Sequence, residues 1–111
     1  MKIVSLLILA LFFSVSLSAV PNARLEATKK VPPVYTEAIL AKHLSGPVVL
    51  AFVVEEDGSV TEVKTKQSPA PELSESAIEC IKKWRFQPAI KDGAPARAQM
   101  ELAILFDPQK G

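Results

Sequence analysis

Apolar and polar positions along the chain change period several times, and each change marks an element. Residues Ile3 to Val20 carry no charge, and Pro21 to Lys30 is polar without a period. "VPPVYTEAILAKHLSGP" follows. Its proline pair forces an extended approach, because a residue before proline avoids the helical region. Thr36 caps a predicted helix that runs to about His43, and Glu37 suits the positive end of that helix. Gly46-Pro47 closes the section. In "PVVLAFVVEEDGSVTEVKTKQS", Val48, Leu50, Phe52 and Val54 share one face at the two-residue period of a strand, and Val49, Ala51 and Val53 share the other. A strand apolar on both faces is central, or has one face covered. Asp57-Gly58 supplies a hairpin turn. The return strand, about Ser59 to Gln67, turns Glu62, Lys64 and Lys66 outward.

"SPAPELSESAIECIKKWRF" reads as a proline-marked loop and a second helix. Ser74 is its expected N-cap, with Glu75 in the first turn. Ala77, Cys80, Ile81 and Trp84 form one stripe at helical spacing. Lys82, Lys83 and Arg85 gather at the negative end of the dipole, and Pro88 is expected to stop the helix. Trp84 then plugs the core where the helix breaks. Asp92-Gly93 turns the chain. In the last strand Ala96, Ala98, Met100, Leu102, Ile104 and Phe106 face the core, alternating with Arg97, Gln99, Glu101, Ala103 and Leu105.

The order helix, strand, strand, helix, strand predicts an α+β fold in two layers: a three-stranded antiparallel-type sheet with two helices on one face. A right-handed crossover through the second helix returns the last strand parallel to the second and beside the first. The first strand is then central, and the last lies on an edge. The expected division is a signal peptide over 1–19, a flexible lead over 20–31, one domain over 32–107 and a tail over 108–111.

Composition narrows the function. The chain of 111 residues has room for one domain. Lys2, the apolar run and the small residues Ser16, Ser18 and Ala19 have the layout of a secretory signal. The alternative is an uncleaved anchor, although the run is at the short limit for a bilayer span and serines dilute it. Removing 1–19 takes away Lys2, so 13 basic residues less that one balance the 12 acidic ones. No basic excess remains for nucleic acid. A single cysteine, Cys80, rules out an internal disulfide, and burial is its expected fate. His43 with Cys80 would be a nucleophile–base pair only if an oxyanion-hole motif accompanied them. One histidine and one cysteine fall short of a zinc site. Glu55, Glu56 and Asp57 read as a solvated hairpin tip without calcium-loop spacing. No glycine-rich phosphate loop is present. The expectation is a protein that is not an enzyme and holds no cofactor or metal.

Several stretches carry a family likeness. "KKWRFQPAIKDGAP" resembles the helix end and K-x-G turn of the TonB C-terminal domain. "VVLAFVVEEDGSVTEVK" is similar to that family's hairpin, "PPVYTEA" to its P-x-Y-P-x-x-A approach, and "LSESAIECIKKW" to its second helix. The resemblance covers about Pro32 to Phe106. It implies a periplasmic, transport-linked module that adds the N-terminal box peptide of an outer-membrane transporter to its edge strand. Backbone hydrogen bonds would supply affinity and alternate side chains selectivity. The positions implied are Pro33, Val34 and Tyr35 in the approach, and Arg97, Ala98, Gln99, Met100, Glu101, Leu102, Ala103, Ile104 and Leu105 along the edge. Inner-membrane motor proteins become partners only if the first apolar run is an anchor.

The chain also departs from the family pattern. No proline-rich spacer lies between Val20 and Pro32, and a dozen residues at ~3.5 Å each reach only about 40 Å. Thr36 stands where the family has proline, and His43 where glycine commonly ends the first helix. A left-handed His43 would cost on the order of 1 kcal/mol. The alternative function is an accessory, competing or dimerising binding module without energy coupling. Arg97 and Glu101 also fit the charged guards that keep an exposed edge from pairing. Ala103, Leu105, Val49, Ala51 and Val53 form a candidate apolar strip, and so a dimer surface, on the sheet's second face.

Overall fold

The computed structural model describes residues 19–108. The signal-peptide or anchor reading falls, but for its last residue, outside them. In chain order the elements are β1 (Ala27–Lys29), α1 (Glu37–Ala41), β2 (Gly46–Val54), β3 (Val60–Gln67), α2 (Pro71–Ile81), β4 (Arg85–Phe86), β5 (Ala89–Lys91), β6 (Ala94–Ala96) and β7 (Ala98–Phe106). The doubly apolar β2 is central in the main sheet, whose order is β3-β2-β7, and both neighbours run antiparallel to it. β7 is therefore parallel in direction to β3 and forms the edge, as the crossover argument requires.

Both helices close one face of this sheet. Val48, Leu50, Phe52 and Val54 from β2, and Met100, Ile104 and Phe106 from β7, are buried with Ile39 of α1 and Leu73, Ala77, Cys80 and Ile81 of α2. Lys42, just past α1, forms an ion pair with Glu72 of α2 and ties the two helices at the surface. The Thr36 side chain accepts the Ile39 amide as the expected N-cap. α1 ends with His43 at φ 53, and the Leu44 amide donates to the Ile39 carbonyl at 3.0 Å. That is a Schellman ending with histidine in the position glycine favours.

The second helix differs from expectation at both ends. It begins at Pro71, after Ala70 as N-cap, and Ser74 lies inside it, donating to the Pro71 carbonyl. Proline in the first turn costs no hydrogen bond, because that amide has no helical partner, and its fixed φ suits the helix. The helix also ends at Ile81, well before Pro88. The Lys83 and Trp84 amides donate to Cys80 and Ile81, tightening the last turn. The chain then extends into β4, where the Phe86 amide donates to the Gly58 carbonyl at 2.9 Å. Trp84 thus stands beyond the helix and is half-buried. Its Nε1–H donates to the Val31 carbonyl at 2.8 Å, and its ring lies 5.9 Å from that of Phe86.

The stretch 20–31, expected as a flexible lead, is hydrogen-bonded along the domain. β1 pairs with β4, and the Gln87 amide donates to the Glu26 carbonyl at 2.8 Å. Cys80, buried as expected, donates its thiol to the same Val31 carbonyl that Trp84 uses, at 2.9 Å. Ala96, expected in the last strand, belongs instead to a small hairpin of β5 and β6. Asp92 and Gly93 turn that hairpin with φ of 53 and 80, the mirror-image turn that matches strand twist.

Two backbone positions give opposite expectations. A Cβ on Gly58, at φ 87, would lie 2.3 Å from the Phe86 carbonyl oxygen. Gly58→Ala combines a left-handed penalty with a backbone clash and is expected to destabilise by about 2–4 kcal/mol. His43→Gly relieves the strained ending and is expected to stabilise by about 1 kcal/mol. Urea unfolding of the two variants beside the parent measures both signs.

Candidate partner-binding edge

The geometry of β7 follows from its register. Pairing with β2 is one to one from Gly46↔Phe106 to Val54↔Ala98, without a bulge. Side chains of Ala98, Met100, Ile104 and Phe106 are buried, and Leu102 packs half-buried on the same core. Gln99, Glu101, Ala103 and Leu105 are exposed, Leu105 to 66%. Backbone groups alternate with the side chains. The Gln99 amide donates to the Val20 carbonyl at 2.6 Å, away from β2, and the Ala23 amide donates to the Gln99 carbonyl at 2.8 Å. The Val20 amide donates to the Arg97 carbonyl at 2.8 Å. Stepping by two, the N–H and C=O of Glu101, Ala103 and Leu105 face outward as well. Ala98, Met100, Leu102 and Ile104 direct theirs to β2.

The predicted edge residues therefore divide into two sets. The odd-numbered ones offer backbone to a partner strand, and the even-numbered ones hold the sheet and core together. Val20 forms an isolated parallel bridge with Ala98, so the segment Val20–Ala23 already occupies the outward groups at one end. Nothing in the polar pattern of 21–30 signalled that seat.

Arg97 sits in the joint between β6 and β7. Its Nε donates to Glu55 Oε1 at 2.8 Å and its Nη2 to Glu55 Oε2 at 3.3 Å, and Nη2 also reaches Glu62. The guanidinium thus spans the sheet from the β7 end to β3. Glu62, placed outward by the strand period, has φ 51, at an irregularity in the β2–β3 pairing. The Thr61 hydroxyl hydrogen bond, and then Arg97, hold the Glu55 carboxyl below its ordinary value of 4.5. The hydrogen bonds that Arg97 donates to Glu55 and then to Glu62 push its guanidinium pKa up. The arginine's side chain is committed to this clamp, and its carbonyl to Val20.

Of the predicted approach residues Pro33, Val34 and Tyr35, Tyr35 meets the other end of β7. The Tyr35 ring lies edge-on to Phe106 at 5.5 Å, and its hydroxyl accepts the Asp107 amide at 2.8 Å. Val34 is 64% exposed while its carbonyl accepts from Ser76. A cleft of about 380 Å³ opens here, lined by His43, Ser45, Gly46 and Leu105–Pro108. A larger groove of about 670 Å³ crosses the sheet's second face between Asn22–Arg24 and the β3 lysines 64 and 66. Ala51 and Val53 form part of its lining, and Val53 is buried. Of the expected apolar strip, only Ala103 and Leu105 are exposed. Cys80 faces the Val31 carbonyl, and its burial pushes the thiol pKa up. His43 lies in the cleft at the end of β7. Among the described residues no three His, Cys, Asp or Glu side chains converge to hold a metal ion.

Comparisons with known proteins agree on one family. Residues 31–108 match the family described as the Gram-negative bacterial TonB protein C-terminal. The chain is 30% identical to the TonB protein of Vibrio cholerae serotype O1 over 78 residues, 69% of this chain and 32% of that protein. It is 26% identical to the TonB protein of Pseudomonas aeruginosa over 80 residues, 71% of this chain and 23% of that protein. The matched part is thus between 23% and 32% of these curated relatives' length. The fold is similar to the solution NMR structure of the Pseudomonas aeruginosa TonB CTD, with a TM-score of 0.65 at 23% identity, covering 81% of this chain and 92% of that one.

The clamp has a pH signature. A carboxyl held below its ordinary value stabilises the fold above that value, and the contribution is lost as pH falls through the lowered one. Between about pH 5 and 3 the parent should lose more stability than Glu55→Gln, as measured by urea unfolding at each pH. Equal losses would remove the Glu55 charge from the stability of the edge.

Proposed function

The chain belongs to the family of Gram-negative bacterial TonB C-terminal domains, and from that premise we propose that it is a periplasm-facing, transport-linked protein-binding domain. It captures an extended N-terminal peptide of an outer-membrane transporter by pairing it along the outer edge of β7. The observation that carries this reading is the row of outward N–H and C=O groups on Glu101, Ala103 and Leu105. They continue the positions at which Gln99 already bonds an added segment. Strand addition draws affinity from main-chain bonds and selectivity from alternate side chains. At roughly 1 kcal/mol net per bond, the N–H and C=O groups of these three residues give at most about 6 kcal/mol, and the cost of ordering the peptide brings the affinity to about the millimolar range.

Selectivity has two supports. Ala103 and Leu105 are apolar and exposed beside the bonding groups, so they favour a peptide with small or apolar side chains on the matching face. Tyr35 of the Pro33–Tyr35 approach borders the same end of the strand through Phe106 and Asp107. The reading as an accessory or competing module without energy coupling draws on one observation. Residues 20–31 lie bonded along the domain rather than standing off it as a spacer.

The direct test is a proline at an outward amide. Glu101→Pro removes one donor aimed at the peptide and leaves the β2 ladder whole, since proline is tolerated on a strand edge. Leu102→Pro, whose amide serves β2, is the unfolding control. Titration with transporter box peptides, followed by amide chemical shifts, should move β7 in the parent. Affinity in a folded Glu101→Pro variant should fall about tenfold, the equivalent of one charge-free bond and its strain. Undiminished binding would sink the pairing model. No response to any box peptide would favour the uncoupled module.

A further inference from the structure

The outer edge of β7 is partly taken by the chain itself. Val20 exchanges bonds with Arg97 and Gln99, and Ala23 returns to the Gln99 carbonyl. Pro21 between them has no amide to give, and Asn22 bends left-handed at φ 51. The segment therefore makes one rung of parallel pairing and turns away before it can claim Glu101. We propose that Val20–Ala23 is a built-in competitor for the peptide edge. It withholds the Arg97 and Gln99 positions from a partner strand and yields them only to a peptide long enough to pair along the whole of β7. The proposal rests on the reading of β7 as a peptide edge.

The lead is built with a weak end and a strong end. Downstream, Leu25 and Ala27 pack against the core, and Glu26 accepts from Gln87. The Val31 carbonyl takes two side-chain donors, Cys80 and Trp84. Upstream, Pro21 and Asn22 are exposed, and the seat consists of three backbone bonds. Those bonds can open without disturbing Leu25 to Val31. Tethering keeps the displaced segment at a high local concentration, on the order of millimolar, so even weak bonds hold it in place. A partner that needs the occupied positions then binds with an affinity reduced by the fraction of molecules in which they are free. A short peptide confined to Glu101–Leu105 escapes this reduction.

The test uses the protein isolated from cells and two variants. Ala23→Pro removes the lead donor to the Gln99 carbonyl. Asn22→Val keeps the donors and disfavours the left-handed bend. Without any peptide, the Gln99 amide should be protected from hydrogen exchange in the parent and lose about tenfold protection in both variants. The Met100 amide, which faces β2, should not change. A ten-residue transporter box peptide should bind the variants about three- to tenfold more tightly than the parent. A five-residue version should bind all three alike. An unprotected Gln99 amide in the parent overturns the proposal. Protection in the parent, with the long peptide binding all three alike, also overturns it while leaving the edge reading intact. If neither peptide moves β7 resonances, the edge reading fails and the competitor reading falls with it.

Discussion

A slip of one residue between β2 and β7 would turn Met100, Ile104 and Phe106 toward the second face and rotate the Glu101 amide from the free edge into the ladder. Under the proposed strand addition, the register is therefore a functional constraint as well as a packing one. What fixes it is burial: alternate positions of both strands pack under α1 and α2, and no bulge interrupts the pairing. Side-chain parity and backbone parity are coupled in a strand. The same alternation that builds the core thus decides which backbone groups are left for a partner. Val49, Ala51 and Val53 make β2 apolar on its second face too, which keeps it central and leaves β7 at the edge.

The second organising contact is the Val31 carbonyl. It accepts from Cys80 and from Trp84, so one backbone oxygen binds the lead to the end of α2. This accounts for the largest side chain standing where the helix ends. The indole is an apolar body lying over Phe86, with a donor that needs a buried partner. Meeting that partner requires the chain to leave the helix near Ile81. Arg85 and Phe86 are then extended where β1 can pair with them, and Phe86 is buried against Phe52. Packing and hydrogen bonding together explain the placement of Trp84, and no reaction chemistry is needed.

Much of this was legible from local pattern. The doubly apolar β2, the Asp57-Gly58 hairpin, the Thr36 cap, the edge position of the last strand and its inward set from Ala98 to Phe106 all follow from period and turn chemistry. All but one of the misses share a cause, which is contact across long sequence separations. The early end of α2 depends on Val31 and Gly58, far from Ile81 in sequence. The start at Pro71 did have a local signal, since proline is favoured in a first helical turn, but Ser74 with Glu75 was the more familiar capping pattern. In the candidate site, the alternation named the outward positions of β7. It could not reveal that Glu55 and Glu62 claim the Arg97 side chain, or that Val20–Ala23 takes the first rung. A polar stretch with no period carries no information about where its backbone bonds go.

Edge protection and edge recognition are usually set against each other, yet under the proposed pairing β7 would serve both at different positions. An exposed strand edge invites pairing with any extended chain, and proteins blunt it with charge or by covering it. Here the two defences coincide at one end. The Arg97 cluster with Glu55 and Glu62 places a charged clamp there, and Val20–Ala23 covers the adjoining backbone groups. The opposite end carries Ala103 and Leu105 on the outward face, with Tyr35 holding Phe106 and Asp107 in place behind them. An unguarded edge along all of β7 would accept strands indiscriminately, and a fully covered one would accept none. Guarding one end shortens the row of bonding groups that an unselected strand can reach. A strand that matches the exposed apolar positions begins at the open end, where no bond has to be broken first. On the proposed route, only after gaining those bonds would it meet the lead. Discrimination between a fitting peptide and any extended chain then depends on length and side-chain match together, because few main-chain bonds are available before the lead is displaced.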